Sequence, residues 1–168
     1  MNAMMSDTDR TASTKWTALV VWIAVCFAAA GIGALMTSPA LREWYPRLNK
    51  PAWTPPNGVF GPVWTLLYAS MGLAAWTVWL QRALRNAAPA ISMFAVQLVL
   101  NVAWSGIFFG LRSPGGGLLA ILALWCAIAA TIVSFHRVVA LAGWILTPYL
   151  AWVSFALALN FEIWRLNK

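Results

Sequence analysis

Charge is scarce in this sequence, and that scarcity decides the broad class of protein. Charged residues make up 9% of the 168 residues, and only four residues are acidic. Soluble domains carry roughly a quarter charged residues, so the composition excludes an ordinary water-soluble domain. Apolar residues, in contrast, make up 62% of the chain. We therefore expect a membrane protein.

Histidine and cysteine are also rare. The chain has one histidine, and its two cysteines, Cys26 and Cys126, lie inside apolar stretches. This pattern predicts buried thiols and no disulfide framework. Because there is no Cys/His cluster, we expect no metal site. The basic residues are scattered between apolar stretches, which is typical of loop anchoring and excludes a nucleic-acid-binding stripe.

Five segments are long and apolar enough to cross a ~30 Å hydrocarbon core as helices. Their approximate bounds are residues 16–37, 61–81, 89–111, 115–135 and 138–162. They predict an all-α integral membrane protein, a five-transmembrane-helix bundle that forms a single domain over residues 16–168. The polar residues 1–15 are expected to form a mobile tail.

The first apolar segment has an alternative interpretation as a signal peptide. Lys15, a short apolar stretch and the small residues 28–30 resemble the three parts of such a peptide. The apolar stretch continues to Met36 without a break, which favours a membrane span. Lysine and arginine divide almost evenly between the two ends of the predicted bundle, so they leave its orientation open.

The connection after the first span is rich in proline and tryptophan. Ser38-Pro39 is expected to end the first helix, and four prolines follow between Pro51 and Pro62. Proline removes backbone donors and fixes φ, so this connection is not a continuous helix or a central strand. Asn57-Gly58 predicts a turn, with Pro62 in the first turn of the second helix. Irregular backbone beside a membrane is tolerated where it covers a cavity, so we expect a structured first loop that acts as a lid.

Aromatic and polar residues recur at helical spacing in three of the predicted spans. They are Trp64 and Tyr68; Asn101, Trp104 and Ser105; and Trp152, Ala156 and Asn160. An unpaired amide in hydrocarbon costs several kcal/mol, so Asn101 and Asn160 should face the interior. Each amide taken alone is better explained by a role in tying helices together. Convergence of Trp64, Trp104 and Trp152 favours a ligand pocket.

Two further patterns suggest partners. Gly106 and Gly110 have the GxxxG spacing of close helix contacts, so they are a candidate dimer interface, and we expect a homodimer. Leu41, Tyr45 and Arg47 match a short sterol-contact pattern. The sequence has no Ser/His/Asp set, paired carboxylates or phosphate-binding loop, so it offers no groups for conventional acid–base catalysis.

The chain resembles the TspO/MBR family, which contains the tryptophan-rich sensory proteins of bacteria and the mitochondrial translocator protein. The resemblance covers residues 17–167. Its motifs are Trp44-Tyr45, KPAWTPP at Lys50–Pro56, GPVWTLLY at Gly61–Tyr68, NVAWSGIFFG at Asn101–Gly110, PYLAW at Pro148–Trp152 and LNFEIWRLN at Leu159–Asn167. The family resemblance implies a five-helix bundle, often dimeric, whose first loop covers a pocket among the helices.

The resemblance also implies ligands and a site. The expected ligands are porphyrins such as protoporphyrin IX, sterols including cholesterol, and benzodiazepine-type molecules, with no cofactor required. Positions that match the family's pocket are Tyr45, Trp64, Tyr68, Asn101, Trp104, Ser105, Trp152, Ala156, Ala34, Phe60, Gly61, Val63, Ala123 and Leu159. Two positions depart from the mammalian pattern: Gly116 stands in place of a pocket tryptophan, and Phe161 in place of the tyrosine of a sterol motif.

Three functions are compatible with this resemblance. The first is a membrane receptor, sensor or transporter that binds tetrapyrroles. The second is a light-dependent porphyrin-degrading enzyme in which Trp64 and Trp152 are the catalytic residues. The third is a regulatory partner-binding protein with a vestigial pocket. The expected location is a bacterial membrane, with inner and outer membranes both left open.

Overall fold

The computed structural model describes residues 2–168, with side chains from residue 12 onward. In this part of the chain, the helices are α1 (Asn2–Glu43), α2 (Asn57–Leu80), α3 (Ala87–Ser105), α4 (Pro114–His136) and α5 (Ala140–Leu166). A 3₁₀ turn at Tyr45–Arg47 follows α1, and a π-helical segment at Gly106–Gly110 continues α3. All five helices are long and apolar enough to span a membrane, which confirms the predicted all-α five-helix membrane protein.

Helix α1 is longer than predicted at both ends. Its backbone is helical from Asn2, whereas the mobility expected for residues 1–15 stays a prediction, and Met1 lies outside the described residues. The prediction that Ser38-Pro39 ends the helix is wrong, because α1 continues through Pro39 to Glu43. Proline removes the backbone donor that would bond the carbonyl of Leu35. The Ser38 hydroxyl donates to the carbonyl of Ala34 at 2.7 Å, so it adds a bond in the preceding turn and does not replace the missing one.

Helix α2 also begins earlier than predicted. Asn57-Gly58 forms the first residues of the helix and not a turn before it, and Pro62 lies inside the helix. Proline clashes with the carbonyl four residues earlier, which here belongs to Gly58. Gly58 is exposed at the start of the helix, where a carbonyl without an intrahelical donor is tolerated. Helix α5 ends at Leu166, one turn beyond its predicted end.

The first two helices touch most closely at Gly72. A Cβ atom at Gly72 would lie 2.7 Å from Ile23 Cδ1 and 2.9 Å from Ile23 Cα. Only glycine permits this contact, because any larger side chain would push the two backbones apart. From this point towards the first loop, α1 and α2 leave room for a cavity. Large apolar residues such as Leu35, which is 78% exposed, cover the outer surface, as expected for a lipid-facing bundle.

A candidate ligand-binding cavity

A cavity of about 510 Å³ lies inside the bundle at the end that carries the first loop. Its wall is formed by α1, α2, α3 with the π-helical segment, α5 and Tyr45 of the first loop. The volume falls within the range of roughly 300–1,000 Å³ that is typical of small-molecule sites. The bundle therefore has room for a ligand of substantial size.

Trp64 is the centre of the aromatic wall. Its ring centroid lies 5.8 Å from that of Tyr68, 6.3 Å from that of Trp104 and 6.3 Å from that of Tyr149. Trp104 in turn packs against Phe108 and Phe109, each with centroids 5.9 Å away. Rings in such tilted and edge-to-face contacts hold one another in place. The wall is therefore an apolar surface of interlocked aromatic rings.

A chain of hydrogen bonds supports this wall from behind. The Tyr68 hydroxyl donates to Asn101 Oδ1 at 2.7 Å, and Asn101 Nδ2 donates to the Tyr149 hydroxyl at 2.7 Å. The Tyr149 hydroxyl donates to Gln97 Oε1 at 3.1 Å. All four side chains are buried, which confirms that Asn101 faces the interior. The chain links α2, α3 and α5, so Asn101 both ties helices together and lines the cavity.

A second hydrogen-bonded connection lies nearer the first loop. Trp104 Nε1 donates to Asn160 Oδ1 at 3.2 Å, and Asn160 Nδ2 donates to the Pro114 carbonyl at 2.8 Å. Asn160 is buried and lines the cavity, which confirms its predicted inward orientation. Its amide joins α3 and α5 to the start of α4.

The cavity wall is polar in places but not charged. Among the residues that the structure describes, those lining the cavity include no aspartate, glutamate, lysine, arginine or histidine. Burial raises the pKa of the Tyr45 phenol, so this group is neutral at physiological pH. The wall therefore offers ring faces, hydroxyl groups and amides to a ligand.

The first loop is held by hydrogen bonds within the loop and by others to the end of α5. Lys50 Nζ donates to the carbonyls of Tyr45 and Leu48, both at 2.8 Å, and lies 5.0 Å from the centre of the Tyr45 ring. Asn49 N donates to Asn167 Oδ1 at 3.0 Å, while Asn167 Nδ2 donates to the Asn49 carbonyl at 2.9 Å. The loop is thus structured, and its base is attached to the end of α5.

The cavity opens sideways between α1 and α2. Phe27, Gly31 and Ala34 on α1 and Gly61 and Thr65 on α2 line the cavity and are also exposed. Glycine and alanine leave a gap there because they have no side chain that would fill it. Since both helices span the membrane, this opening faces the hydrocarbon region.

Most of the residues named in the sequence analysis lie on the cavity wall. They are Ala34, Tyr45, Phe60, Gly61, Trp64, Tyr68, Asn101, Trp104, Ser105, Ala156 and Leu159. Their role in ligand binding stays a prediction. The structure brings them together because the exposed first loop and the helix faces of α1, α2, α3 and α5 meet at one end of the bundle.

Three of the named residues do not line the cavity. Trp152 lies behind Phe60, with ring centroids 5.9 Å apart, and its Nε1 is buried without a hydrogen-bond partner among the described residues. Its position on α5 lies beside the buried face that carries Val153 and Ala156. Val63 packs against the hydrophobic core. Ala123 is exposed on α4, a helix that contributes nothing to this wall.

Sequence reasoning missed Gln97, Tyr149 and, apart from Ala34, the cavity face of α1. Gln97 precedes Asn101 by four residues, so the helical spacing that identified Asn101 also points to Gln97. The α1 face carries Ala30, Ala34 and Thr37 at spacings of four and three. Small residues that recur at this period indicate a helix face with little side-chain volume, which another helix can approach closely.

The GIFFG segment has an unexpected conformation. Gly106–Gly110 is π-helical, and a Cβ atom at Gly106 would lie 3.1 Å from Met36 Sδ of the same chain. Gly106 therefore packs within the bundle, and its role in a dimer interface, like that of Gly110, stays a prediction. Phe108 and Phe109 of this segment both line the cavity. Insertions of this kind are frequent at functional sites.

Taken together, the fold and the site define a class: multi-pass membrane proteins with a ligand-sized aromatic cavity inside a five-helix bundle. The chain belongs to the TspO/MBR family, which matches residues 22–165. It is 42% identical over 153 residues to the tryptophan-rich protein TspO of Chlorobaculum tepidum, covering 89% of this chain and 95% of that protein. It is 39% identical over 152 residues to the tryptophan-rich sensory protein of Cereibacter sphaeroides, covering 90% of this chain and 92% of that protein.

An animal protein is also similar to most of this chain. The chain is 43% identical over 127 residues to the translocator protein of Homo sapiens, covering 74% of this chain and 75% of that protein. Together with the five membrane-spanning helices, the bacterial relatives identify a multi-pass protein of a bacterial membrane. Among the described side chains, no group of three His, Cys, Asp or Glu residues is arranged to hold a metal ion.

Proposed function

We propose that this protein is a membrane receptor or sensor that binds a porphyrin-class tetrapyrrole, with protoporphyrin IX as the representative ligand, in the cavity between α1, α2, α3 and α5. The observation that carries the proposal is the aromatic wall around Trp64, whose ring packs against those of Tyr68 and Trp104. A porphyrin ring is large, flat and apolar, so it gains both contact area and ring stacking on such a wall.

The uncharged wall also determines the orientation of the ligand. Burying a carboxylate without a cationic partner is costly, and none of the described lining residues is charged. The porphyrin carboxylates are therefore expected at the end of the cavity beside Tyr45 and the first loop, nearest the membrane surface, while the macrocycle lies deeper in the bundle. The same chemistry accommodates a sterol or a benzodiazepine-type molecule, which are apolar and carry few polar groups.

Entry of the ligand occurs from the bilayer in this proposal. The opening between α1 and α2 is lined by small residues such as Gly31, Ala34 and Gly61. An apolar ligand is already concentrated in the hydrocarbon region, so a lateral opening avoids its transfer through water. The first loop, fastened to α5 through Asn49 and Asn167, acts as a lid over the other side.

The proposal is tested by titrating the purified protein with protoporphyrin IX in the dark and comparing two tryptophan substitutions. Ala34→Trp places a large ring in the opening and is expected to weaken binding at least tenfold. Leu35→Trp is the matched control, because Leu35 is exposed and does not line the cavity. Equal affinity in both variants and the wild type would show that the porphyrin binds elsewhere.

A second candidate function is light-dependent degradation of the porphyrin. The position of Trp64 favours this function, because its indole lies on the cavity wall. Its ring neighbours Tyr68, Trp104 and Tyr149 are also oxidisable, so an electron can pass from them to an oxidised Trp64. Trp152 does not line the cavity and packs against Phe60. A role for Trp152 in degradation therefore requires electron transfer to the porphyrin over a longer distance. The receptor remains the primary proposal, since the cavity geometry supports binding and nothing in it requires catalysis.

A further inference from the structure

A second concave surface lies between α1 and α2 at the membrane end opposite the first loop. It encloses about 420 Å³ and is open along one side to the surroundings of the bundle. Residues of α1 from Ser13 to Trp22 line one wall, and Trp79 of α2 lines the other. This groove is separated from the ligand cavity by the tight contact between Gly72 and Ile23.

The groove changes in polarity along its length. Ser13, Thr14 and Thr17 line its outer end, and Ala18, Val21 and Trp22 line the part that extends into the membrane. A glycerophospholipid has the same order of groups, with a polar head and glycerol at the surface and acyl chains below. The groove thus fits one lipid molecule aligned with the bilayer.

The geometry of the groove is held by aromatic contacts between α1 and α2. The rings of Trp16 and Trp76 are stacked with centroids 6.1 Å apart. Trp76 Nε1 also donates a hydrogen bond of 2.9 Å to the Lys15 carbonyl. Tryptophan is favoured at the level of lipid headgroups, which agrees with a position at the membrane surface. The groove is therefore preformed and does not have to be ordered when it binds.

A cation lies beside the groove. The guanidinium carbon of Arg82 is 4.0 Å from the centre of the Trp79 ring, which forms the α2 wall. Among the described side chains, the ion pairs are Arg112–Glu43 and Arg165–Glu162, and both lie at the opposite end of the bundle. No described carboxylate therefore neutralises Arg82. A phosphate accepts hydrogen bonds from a guanidinium in a bidentate geometry, which makes an anionic headgroup its best partner.

We propose that the groove binds one anionic glycerophospholipid, with an acyl chain along Ala18, Val21 and Trp22 and the phosphate beside Arg82. A cation that only reaches towards the membrane surface would favour anionic lipids in general, without a defined groove. A specific site is distinguished from such general attraction by a preformed apolar groove, a hydroxyl-lined end and an arginine that has no ion pair among the described side chains. This inference does not depend on the porphyrin ligand.

The test is native mass spectrometry of the full-length protein, purified in detergent and exposed to equal amounts of phosphatidylglycerol and phosphatidylcholine. The wild type is expected to retain one phosphatidylglycerol in preference to phosphatidylcholine. Arg82→Gln should reduce that preference about fivefold, as expected for one interfacial cation. Arg137→Gln is the matched control, because Arg137 lies at the same membrane end but between α4 and α5; it should leave the preference unchanged.

A second variant tests the groove itself. Ala18→Phe fills the apolar part and should reduce retention of both lipids, with helicity and elution volume unchanged. Equal retention of the two lipids by the wild type, or an unchanged preference in Arg82→Gln, would overturn the proposal. A preference for phosphatidylglycerol that appears only when Asp7 and Asp9 are both replaced with asparagine would also overturn the proposal. In that case the chain's own carboxylates would be the partners of Arg82.

Discussion

The Tyr68 hydroxyl donates a 2.7 Å hydrogen bond to Oδ1 of Asn101, which joins α2 to α3 at the wall of the cavity. Through its Nδ2 the same amide reaches the Tyr149 hydroxyl on α5. Inside a membrane no water replaces such bonds, so their partners must come from the protein. One side chain therefore holds three helices in the arrangement that forms the cavity.

Replacing Asn101 with leucine should destabilise the protein by about 1–3 kcal/mol, because two buried hydrogen bonds are lost and two hydroxyl groups lose a partner. Thermal unfolding in detergent, followed by circular dichroism, measures the effect. Asn86→Leu is the control, since Asn86 is exposed before α3 and its side chain makes no capping hydrogen bond. Similar melting temperatures for the two variants would mean that the network contributes little.

The attachment of the first loop should control how fast a ligand leaves. Asn167→Ala removes the reciprocal hydrogen bonds to Asn49, each worth about 1 kcal/mol, and should accelerate porphyrin dissociation severalfold in stopped-flow measurements. Arg165→Gln provides the comparison, because it disturbs only the ion pair with Glu162 on the same helix. If Asn167→Ala and the wild type release porphyrin at the same rate, the loop is not a lid.

The stiffness of the loop gives a separate test. Replacing both Pro55 and Pro56 with glycine should weaken porphyrin binding, because glycine increases the conformational entropy that the loop loses when the lid is closed. Isothermal titration measures the affinity, and an unchanged value in the double variant contradicts a closing role for these residues.

Replacing Trp64 or Trp152 with phenylalanine distinguishes a porphyrin receptor from a porphyrin-degrading enzyme. Trp64→Phe keeps an aromatic ring on the wall, so porphyrin affinity should fall only modestly, by about 1 kcal/mol. Phenylalanine is much harder to oxidise than tryptophan. In a degrading enzyme, the variant should therefore bind porphyrin but bleach it far more slowly under light. Trp152→Phe should have the smaller effect of the two, because Phe60 separates Trp152 from the cavity. Equal bleaching by both variants and the wild type would rule out the enzymatic function.

Arg112 offers a prediction about the connection between the π-helical segment and α4. Its φ of 52° lies in the left-handed region, which costs a residue with a side chain about 1–2 kcal/mol. Arg112→Gly should therefore be more stable than Arg112→Ala by about 1 kcal/mol, since both variants lose the ion pair with Glu43 and differ only in backbone preference. Equal melting temperatures for glycine and alanine would show that the conformation is not strained.

The number of helices, and which helix faces point into the bundle, were predictable because the hydrocarbon environment strongly constrains the sequence of a membrane span. Apolar length identifies a span, and an amide such as Asn101 cannot face lipid without cost. Helix ends were less predictable. Pro39 and Pro62 were expected to mark boundaries, yet both lie inside helices. The sequence around a proline does not reveal whether the helix will tolerate the carbonyl four residues earlier without its usual donor.

Within the cavity, the aromatic and amide residues of α2 and α3 were predictable from helical spacing. The position of Trp152 was not, because its separation of four from Ala156 still leaves it at the flank of the buried face of α5. Apart from Ala34, which the family resemblance indicated, the contribution of α1 was not predicted either, since alanine and glycine residues carry no chemical signal of a site. Their effect depends on how far α1 diverges from α2, which is a property of the tertiary packing around Gly72.

The central claim is that a porphyrin binds inside the bundle, and a structure of the protein with protoporphyrin IX in lipid nanodiscs tests it most directly. The account predicts the macrocycle in the cavity, in contact with the rings of Trp64 and Phe60, with its carboxylates at the end of the cavity beside the first loop. A macrocycle bound to the outer surface of the bundle, with the cavity between Trp64 and Tyr45 left empty, would contradict it.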